Sequence, residues 1–382
     1  MSDADELKLN AKYRKVGNIL NKAGEFPFPV SDTVVKILKR NIKPEHLDFL
    51  MVFKQGISQT MKQLKSASKL SEGAILKIVD DLAKNGVIFN QPNRQGLMVY
   101  RLLPIGRQFD YGFMKRLEKT EENKDFARLF YQLHKDVAQI FQNNYDAFIT
   151  TIDSLPPIDR TVPILEKNDS GTEIKITLNQ NLDVPIEKII PTQKIEELID
   201  KYEDIAVGYC FCRQHKEFLG EPCKQIDPTE SCFTLGKSAR HTSHHGFSRI
   251  VSKEEALKIL KKIEHAGLVH KAYHLYSDID KEEVAICNCC KCCCPNSRAE
   301  AFMPVKNATN FIAQMNQDIC IGCGACVEKC HMDAIILNNQ NKAELTEEFC
   351  IGCGICAAFC SEDAISMKEN KRIINIIPPK LN

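Results

Sequence analysis

The spacing of apolar positions in the first quarter of the chain predicts two helices followed by a β-hairpin. One helix runs over about 58–66, and a second opens at Ser71-Glu72 with apolar residues at helical spacing. Gly86 is expected to end this second helix. Two apolar runs that read as strands then surround a turn-prone segment: 87–89 and 97–102. This order of elements predicts a winged helix-turn-helix domain over residues 34–105.

An amphipathic helix is predicted next, at about 124–143, because large apolar residues recur on one of its faces. We expect that face to serve packing or dimerisation within a helical segment spanning 106–153. The following stretch is rich in Pro, Asn and Asp, carries one short alternating segment at 173–178, and predicts a connector over 154–185. Residues 1–33 are interpreted as an N-terminal extension.

The second half of the chain has shorter predicted elements, with helices near 192–202 and 252–266. We divide it into a mixed Cys-rich domain, a linker, a cysteine module and a tail, in this order: 186–302, 303–317, 318–370 and 371–382. The expected fold class is therefore α+β and multidomain, consistent with 382 residues being long for one domain.

Cysteine usage separates the two halves, since all 18 Cys lie between Cys210 and Cys360. The first residues are charged, and no apolar run reaches membrane-spanning length, so we expect a cytoplasmic protein without a membrane partner. In a reducing compartment, clustered cysteines indicate metal ligation rather than disulfides. The formal net charge of +1 gives no overall attraction to nucleic acid or membrane.

Two runs with the spacing C-x2-C-x2-C-x3-C lie thirty residues apart near the C-terminus. Three thiolates on one tight loop can bind three irons of a [4Fe–4S] cube, while the fourth cysteine, carried away on a helix, binds the other cluster. The spacing therefore predicts crossed ligation by two sets of four cysteines: Cys320, Cys323, Cys326 with Cys360, and Cys350, Cys353, Cys356 with Cys330. Two zinc knuckles or free thiols are the competing interpretation.

These runs resemble those of bacterial-type two-cluster ferredoxins over about fifty residues. The resemblance implies two [4Fe–4S] clusters that pass single electrons, with every iron fully ligated by sulfur and none open to substrate. The proline that usually follows the fourth cysteine is replaced by His331 and Ser361. We interpret His331 as a surface residue or a neighbour of the ligands.

Ten more cysteines form the middle region and predict a further metal or Fe–S site: Cys210, Cys212, Cys223, Cys232, Cys287, Cys289, Cys290, Cys292, Cys293 and Cys294. The alternatives are one or two further Fe–S clusters, a zinc site, a redox-active dithiol or no cofactor. One arrangement uses the first four for one centre and some of the last six for a second. Sharing between the two groups is the other arrangement.

The region from about 186 to 367 is also similar to a family of anaerobe proteins of unassigned role. The similarity lies in four segments: Cys210-Phe-Cys212-Arg213, Leu219-Gly-Glu-Pro-Cys223, Glu264-His-Ala-Gly-Leu-Val-His270 and Asn288-Cys-Cys-Lys-Cys-Cys-Cys294. It implies electron transfer in anaerobic metabolism and names no substrate.

Charge is concentrated at 34–105, which holds twelve Lys or Arg and five Asp or Glu, a net of +7. This excess is compatible with binding to DNA phosphates. Acidic residues on the second helix, Glu72, Asp80 and Asp81, oppose it. A winged helix also serves docking or dimerisation, so the fold alone does not decide.

The sequence favours an iron–sulfur electron carrier, or an oxidoreductase subunit, that relays low-potential electrons between redox protein partners. The alternatives are a redox- or iron-responsive DNA-binding regulator and an oxidoreductase whose middle cluster has an open iron. Whether the chain is itself an enzyme stays open, as does a homodimer. No nucleotide-binding motif is found, so no nucleotide cofactor is expected.

Overall fold

The computed structural model describes most of the chain, namely residues 2–24, 30–54, 58–93, 95–154, 156–157, 159–177, 194–274, 283–298 and 300–381. Some predicted features lie outside these residues: Arg94 in the hairpin turn, the connector from 178 onward, and the start of the Cys-rich domain at 186. Within the described chain, no helix is both long and apolar enough to cross a membrane.

The N-terminal extension contains a helix that belongs to the core. Three helices open the chain, α1 (Asp3–Asn21), α2 (Asp32–Asn41) and α3 (Leu47–Leu50), the last after a 3-10 turn at Pro44–His46. Tyr13, Val16 and Leu20 of α1 are fully buried among residues of the following domain. The extension is therefore part of the N-terminal fold, because its apolar face is covered by α2 and α3.

The two helices and the hairpin predicted from apolar spacing are present. They are β1 (Gln59–Thr60), α4 (Met61–Ser68), α5 (Glu72–Ala83), β2 (Ile88–Pro92) and β3 (Met98–Leu102), with strand order β1-β3-β2. Ser71 caps α5 by accepting the N–H of Ala74, and Gly86 follows that helix with φ +68°. The sheet packs against α4 and α5.

Three more helices complete this half: α6 (Ile105–Met114), α7 (Glu121–Asn143) and α8 (Tyr145–Thr151), followed by a 3-10 turn at Ile152–Ser154. The buried face of α7 packs within the chain, where Phe126 and Phe130 stack on Phe109 at 5.3 and 4.2 Å. The apolar face of the amphipathic helix is thus used for internal packing.

A nine-stranded sheet joins the middle region to the C-terminal module, with strand order β5-β14-β11-β4-β9-β10-β7-β6-β8. Its strands are β4 (Asp159–Val162), β5 (Ile176–Thr177), β6 (Ile205–Tyr209), β7 (Glu230–Leu235), β8 (Arg249–Ile250), β9 (Val269–His274), β10 (Glu283–Cys289), β11 (Val305–Met315) and β14 (Ile365–Ile376). The helices of the middle region are α9 (Ile195–Asp200), α10 (Phe211–Phe218), α11 (Lys237–His244) and α12 (Lys253–His265).

The segment 303–317, predicted as a linker, instead contains the eleven-residue strand β11 in the interior of this sheet. It pairs antiparallel with β14 over most of its length and parallel with β4. Several of its polar residues are buried, and Asn307 among them accepts a hydrogen bond from Thr161 across the sheet at 2.8 Å. Buried polar side chains hid this strand from a search for apolar alternation.

The described part of the connector also contributes a central strand, β4. All four of its residues are buried, and Asp159 pairs with Lys271 of β9 at 3.2 Å in the sheet interior. A strand with the sequence Asp-Arg-Thr-Val reads as a loop, because its charges are satisfied only by tertiary partners.

The C-terminal module adds α13 (Ala325–Lys329), α14 (Ile355–Ala358), a 3-10 turn at Glu347–Phe349 and the hairpin β12 (Ile335–Leu337) with β13 (Ala343–Leu345). The predicted tail 371–382 begins as the end of β14. Beyond it, the carbonyls of Pro378 and Pro379 accept hydrogen bonds from Tyr145 and Gln142. The tail is therefore fastened to α7 and α8.

Candidate metal centres

The first C-terminal cavity is lined by Cys320, Cys323, Cys326 and Cys360. The first three lie on the loop that precedes α13 and in its first turn, and Cys360 follows α14. The amide of Ala343 donates to the Cys320 sulfur at 3.4 Å. The structure thus places together the first of the two predicted sets.

The second C-terminal cavity is lined by Cys330, Cys350, Cys353 and Cys356, which is the second predicted set. The amide of Ala334 donates to the Cys330 sulfur at 3.2 Å. A Cβ at Gly354 would overlap the carbonyl oxygen of Ile164, so the loop needs glycine here to lie against the chain that follows β4. The Ile164 N–H in turn donates to the Cys353 carbonyl at 2.9 Å.

These cavities differ in their exposure to solvent. Cys323 is exposed in the first, and burial raises the pKa of Cys326 to about 11. In the second, Cys350 and Cys356 are buried, and burial raises the pKa of Cys353 to about 12. Metal binding to these thiols displaces their protons.

The ten middle cysteines fall into two groups that cut across the division suggested by chain order. Cys223 does not join Cys210, Cys212 and Cys232. It joins the turn after β10, where four thiols lie within 4.8 Å of one another: Cys223, Cys290, Cys292 and Cys293. We call these four residues the four-thiol site. Sharing between the two sequence groups, one of the two arrangements left open by the sequence, is the arrangement found.

The other six thiols are close neighbours, in the order Cys287, Cys232, Cys210, Cys212, Cys294 and Cys289, and Cys289 again lies near Cys287. We call this group the six-thiol ring. It forms because Cys232 and Cys287 lie on the neighbouring strands β7 and β10, and Cys210 directly follows β6, the next strand of the sheet. Cys287 and Cys289 point to the same face of β10, since side chains alternate along a strand.

Arg213 lies between the two groups and is buried. It donates to the carbonyl of Asn288 at 2.9 Å and to Ser231, while its Nε has no hydrogen-bond partner among the described residues. Burial alone would lower its pKa, but the negative charge available on cysteines of both groups raises it well above the ordinary value. This guanidinium can offset the charge of bound thiolates.

Two contacts join the middle cysteines to the second C-terminal cavity. His331, directly after Cys330, is buried and its imidazole contacts the thiol of Cys294 in the six-thiol ring. It is therefore not a surface residue, and it bridges two thiol groups. Lys291 pairs with Asp333 at 2.5 Å in the same region. Sequence reasoning missed this bridge because only the missing proline marked His331 as unusual.

A cavity of about 140 Å³ opens between α7 and the middle cysteines. Cys212 of the ring and Cys293 of the four-thiol site both line it, together with His134, Lys216 and Glu300. Burial lowers the pKa of His134 to about 3, so this imidazole is neutral. Lys216 pairs with Glu300 at 2.9 Å. The cavity gives small molecules a route to the edge of both thiol groups.

Two further histidines of the middle region are buried within elements of secondary structure. His241 lies in α11, stacks on Phe89 at 4.6 Å, and neither ring nitrogen has a hydrogen-bond partner among the described residues. His270 lies in β9 and contacts Asn288 and Glu264. Among the described residues, the search for close ligand groups finds no group of three that includes a histidine.

Comparison with known proteins bears on the C-terminal module. No curated protein and no solved structure matches the chain. A family model described as a 4Fe-4S dicluster domain matches residues 313–367. The chain thus carries a 4Fe–4S dicluster domain at its C-terminus, within a mixed α/β fold that holds further cluster-like cysteine sites.

Proposed function

We propose that this chain is an iron–sulfur electron-transfer protein or oxidoreductase subunit that relays single low-potential electrons between redox protein partners. The observation that carries the proposal is the pair of C-terminal cavities, each lined by four cysteines in crossed combination, inside the region matched by the dicluster model. We assign one [4Fe–4S] cluster to Cys320, Cys323, Cys326 and Cys360, and the other to Cys330, Cys350, Cys353 and Cys356. Bound clusters of this type supply one-electron transfer.

The residues around these sets fit that role. Backbone N–H groups donate to the sulfurs of Cys320 and Cys330, and these hydrogen bonds stabilise the negative charge of the bound thiolates. Apolar side chains such as Ile355 and Met367 line the second cavity and limit access of water. With the Gly354 loop close to Ile164, the ligands are held in place before the metal arrives.

We further propose that the six-thiol ring holds an additional Fe–S centre. Six thiols exceed the four that one cube can bind, and the ring contacts the second C-terminal set through His331. Arg213 supplies a buried positive charge beside it. Electrons would then pass between an exposed C-terminal cluster, a buried one and an interior centre.

The first test is the content of iron, acid-labile sulfide and zinc per chain in anaerobically purified protein. We expect about twelve or more iron with matching sulfide, since each cube contains four. About eight would confine the clusters to the C-terminal module and overturn the assignment to the ring. Zinc without iron would overturn the proposed function.

Crossed ligation is tested by four cysteine-to-alanine variants, scored by the electron paramagnetic resonance signal that each one removes after reduction. We expect C323A and C360A to remove one signal, and C353A and C330A to remove the other. If C360A matches C353A instead, each run binds its own cluster. C232A serves as the ring variant and is expected to leave both C-terminal signals in place.

A DNA-binding regulator is the second candidate, and we propose a winged helix for residues 34–105. The sheet β1-β3-β2 behind α4 and α5 supports this proposal, as does the net charge of +7 over residues 34–105. Ion pairs weaken it, because Lys43, Lys65 and Lys84 each pair with an acidic group of α5. Steeply salt-dependent binding to DNA fragments from its own promoter would favour the regulator, and no binding at low salt would exclude it.

An oxidoreductase with an open iron is the third candidate, supported by the cavity that reaches Cys212 and Cys293. Cyanide or carbon monoxide would then change the signal of the middle centre alone, because the irons of the C-terminal clusters are fully ligated by cysteine. No change in any signal would favour the carrier.

A further inference from the structure

Three cysteine groupings of this chain were assigned above to iron–sulfur clusters, and the four-thiol site differs from all of them in its spacing. The sulfur atoms of Cys223 and Cys292 lie 3.7 Å apart, and those of Cys292 and Cys293 are also 3.7 Å apart. All four sulfurs fall within 4.8 Å of one another. Among the described residues, this is the one group of three or more potential ligands found to be so compact.

This spacing is that of four ligands on one ion. A tetrahedral zinc ion with bonds of about 2.3 Å places its four sulfurs about 3.8 Å apart. In a [4Fe–4S] cube each thiolate binds a different iron at a different corner, so the sulfurs are farther apart. Among the described residues, no three thiols of either C-terminal set lie within 4.8 Å of one another.

The surroundings also fit a small closed site. The amide of Lys224 donates to the Cys292 sulfur at 3.4 Å. Arg213 lies nearby and can offset the net charge of −2 that a divalent ion with four thiolates carries.

We propose that Cys223, Cys290, Cys292 and Cys293 bind a single tetrahedral metal ion of the zinc class rather than an iron–sulfur cluster. Three ligands come from the turn after β10, and Cys223 comes from the loop that joins α10 to β7. Gln225 of that loop accepts the N–H of Lys291 at 2.6 Å. The ion therefore fastens an irregular loop to the end of a central strand. With four protein ligands it has no open position, so its role is structural.

The first experiment is X-ray absorption at the zinc edge on the full chain purified without added metal. The expected result is about one zinc per chain, four sulfur neighbours at about 2.3 Å and no second metal nearby. One iron without matching sulfide, in a tetrahedral sulfur environment, supports the same single-ion site with iron in it. The proposal is overturned if the chain holds neither zinc nor a single tetrahedral iron at this site and contains four additional iron with four sulfide instead.

Variants separate this site from the ring. In C223A we expect zinc to fall from about one per chain to near zero while iron and sulfide stay unchanged, because three thiols bind far more weakly than four. The matched control C232A should lose iron and sulfide and keep zinc. A loss of about four iron in C223A overturns the proposal, as does unchanged zinc. The zinc-edge spectrum of the unaltered chain decides the matter if C223A does not fold.

Discussion

The two C-x2-C-x2-C-x3-C loops have the same spacing, yet one faces solvent and the other is covered. The isoleucine after the first cysteine shows the difference: Ile321 is 61% exposed, whereas Ile351 is 2% exposed. The segment after β4 lies against this covered loop, where the Ile164 N–H donates to the Cys353 carbonyl, and β11 lies against its Gly352. A motif therefore fixes which cysteines come together, and its surroundings fix what can reach them.

This contrast bears on where electrons enter or leave the chain. The exposed set is the one that a partner protein can approach, and the covered set is the one that contacts the six-thiol ring through His331. The difference in exposure is tested by changing one loop while the other serves as its control.

The largest expected effect comes from Gly354→Ala. Its Cβ would overlap the Ile164 carbonyl oxygen, so the covered loop cannot close and about four irons are lost. Gly324→Ala is the matched control, because Gly324 has nearly the same φ, +79° against +78°, but its Cβ would lie 3.9 Å from the nearest atom, on Leu337. That variant should pay only backbone strain of roughly 1 kcal/mol. Iron content and thermal unfolding are measured for both variants. Equal losses of iron and of thermal stability in the two would contradict the steric explanation.

A strong iron chelator under anaerobic conditions should remove the exposed cluster first. We expect a first phase of about four irons, accompanied by loss of the signal that C323A removes, because Cys323 is open to solvent. Loss of the C353A-sensitive signal in the first phase would mean that the covered cluster is the more accessible of the two.

Introducing lysine at the two equivalent isoleucines tests burial alone. Ile351→Lys should lower the free energy of unfolding by about 4 kcal/mol, since it buries a charge without a partner. Ile321→Lys should change it by less than about 0.5 kcal/mol. Denaturant unfolding of both variants measures the difference, and similar values would mean that the loops are equally covered.

Low pH is expected to lower the free energy of unfolding independently of the clusters, because a buried histidine of the fold responds to pH. Burial, with smaller contributions from His245, Arg101 and His244, lowers the pKa of His241 from 6.5 to about 3. The unfolded chain therefore binds more protons below pH 6.5, and stability falls as pH drops from there toward 3. We expect this one group to cost about 2 kcal/mol between pH 7 and pH 5.

His241→Leu removes that loss, and the exposed His244→Gln is its control. The unfolding free energies of the three proteins are compared at pH 7 and pH 5. The His241 interpretation fails if His241→Leu is as acid-sensitive as the unaltered chain.

The smallest effect is expected for Lys291→Met. The pair between Lys291 and Asp333 spans the turn after β10 and the segment after Cys330, but both side chains are partly exposed. Its loss should cost less than about 1 kcal/mol and leave the iron content unchanged. A larger effect in denaturant unfolding would show that this pair, rather than the shared sheet, holds the covered loop to the middle region.

Sequence reasoning succeeded where the information is local. The spacing of each cysteine run placed four cysteines in each C-terminal cavity, and Ser71 and Gly86 marked the ends of α5. Capping, turns and short loops depend on neighbours in the chain, so their signals can be read directly.

It failed where pairing over long distances decides the structure. β4 and β11 lie in the segments predicted as a connector and a linker, and the partners of Asp159 and Asn307 are more than a hundred residues away. The grouping of Cys223 with the turn after β10 depends on the same fold. Ten similar residues offer many groupings, and spacing alone does not choose among them.

The position of β4 within the shared sheet has a consequence for biosynthesis. Its partner β11 follows about 150 residues later in the chain, so synthesis at about 5–20 residues per second leaves β4 without that neighbour for roughly 7–30 s. During this interval the middle cysteines emerge from the ribosome before the C-terminal ones. The two middle thiol groups are therefore synthesised first, and the exposed set, which needs Cys360, is the last to have all four of its cysteines.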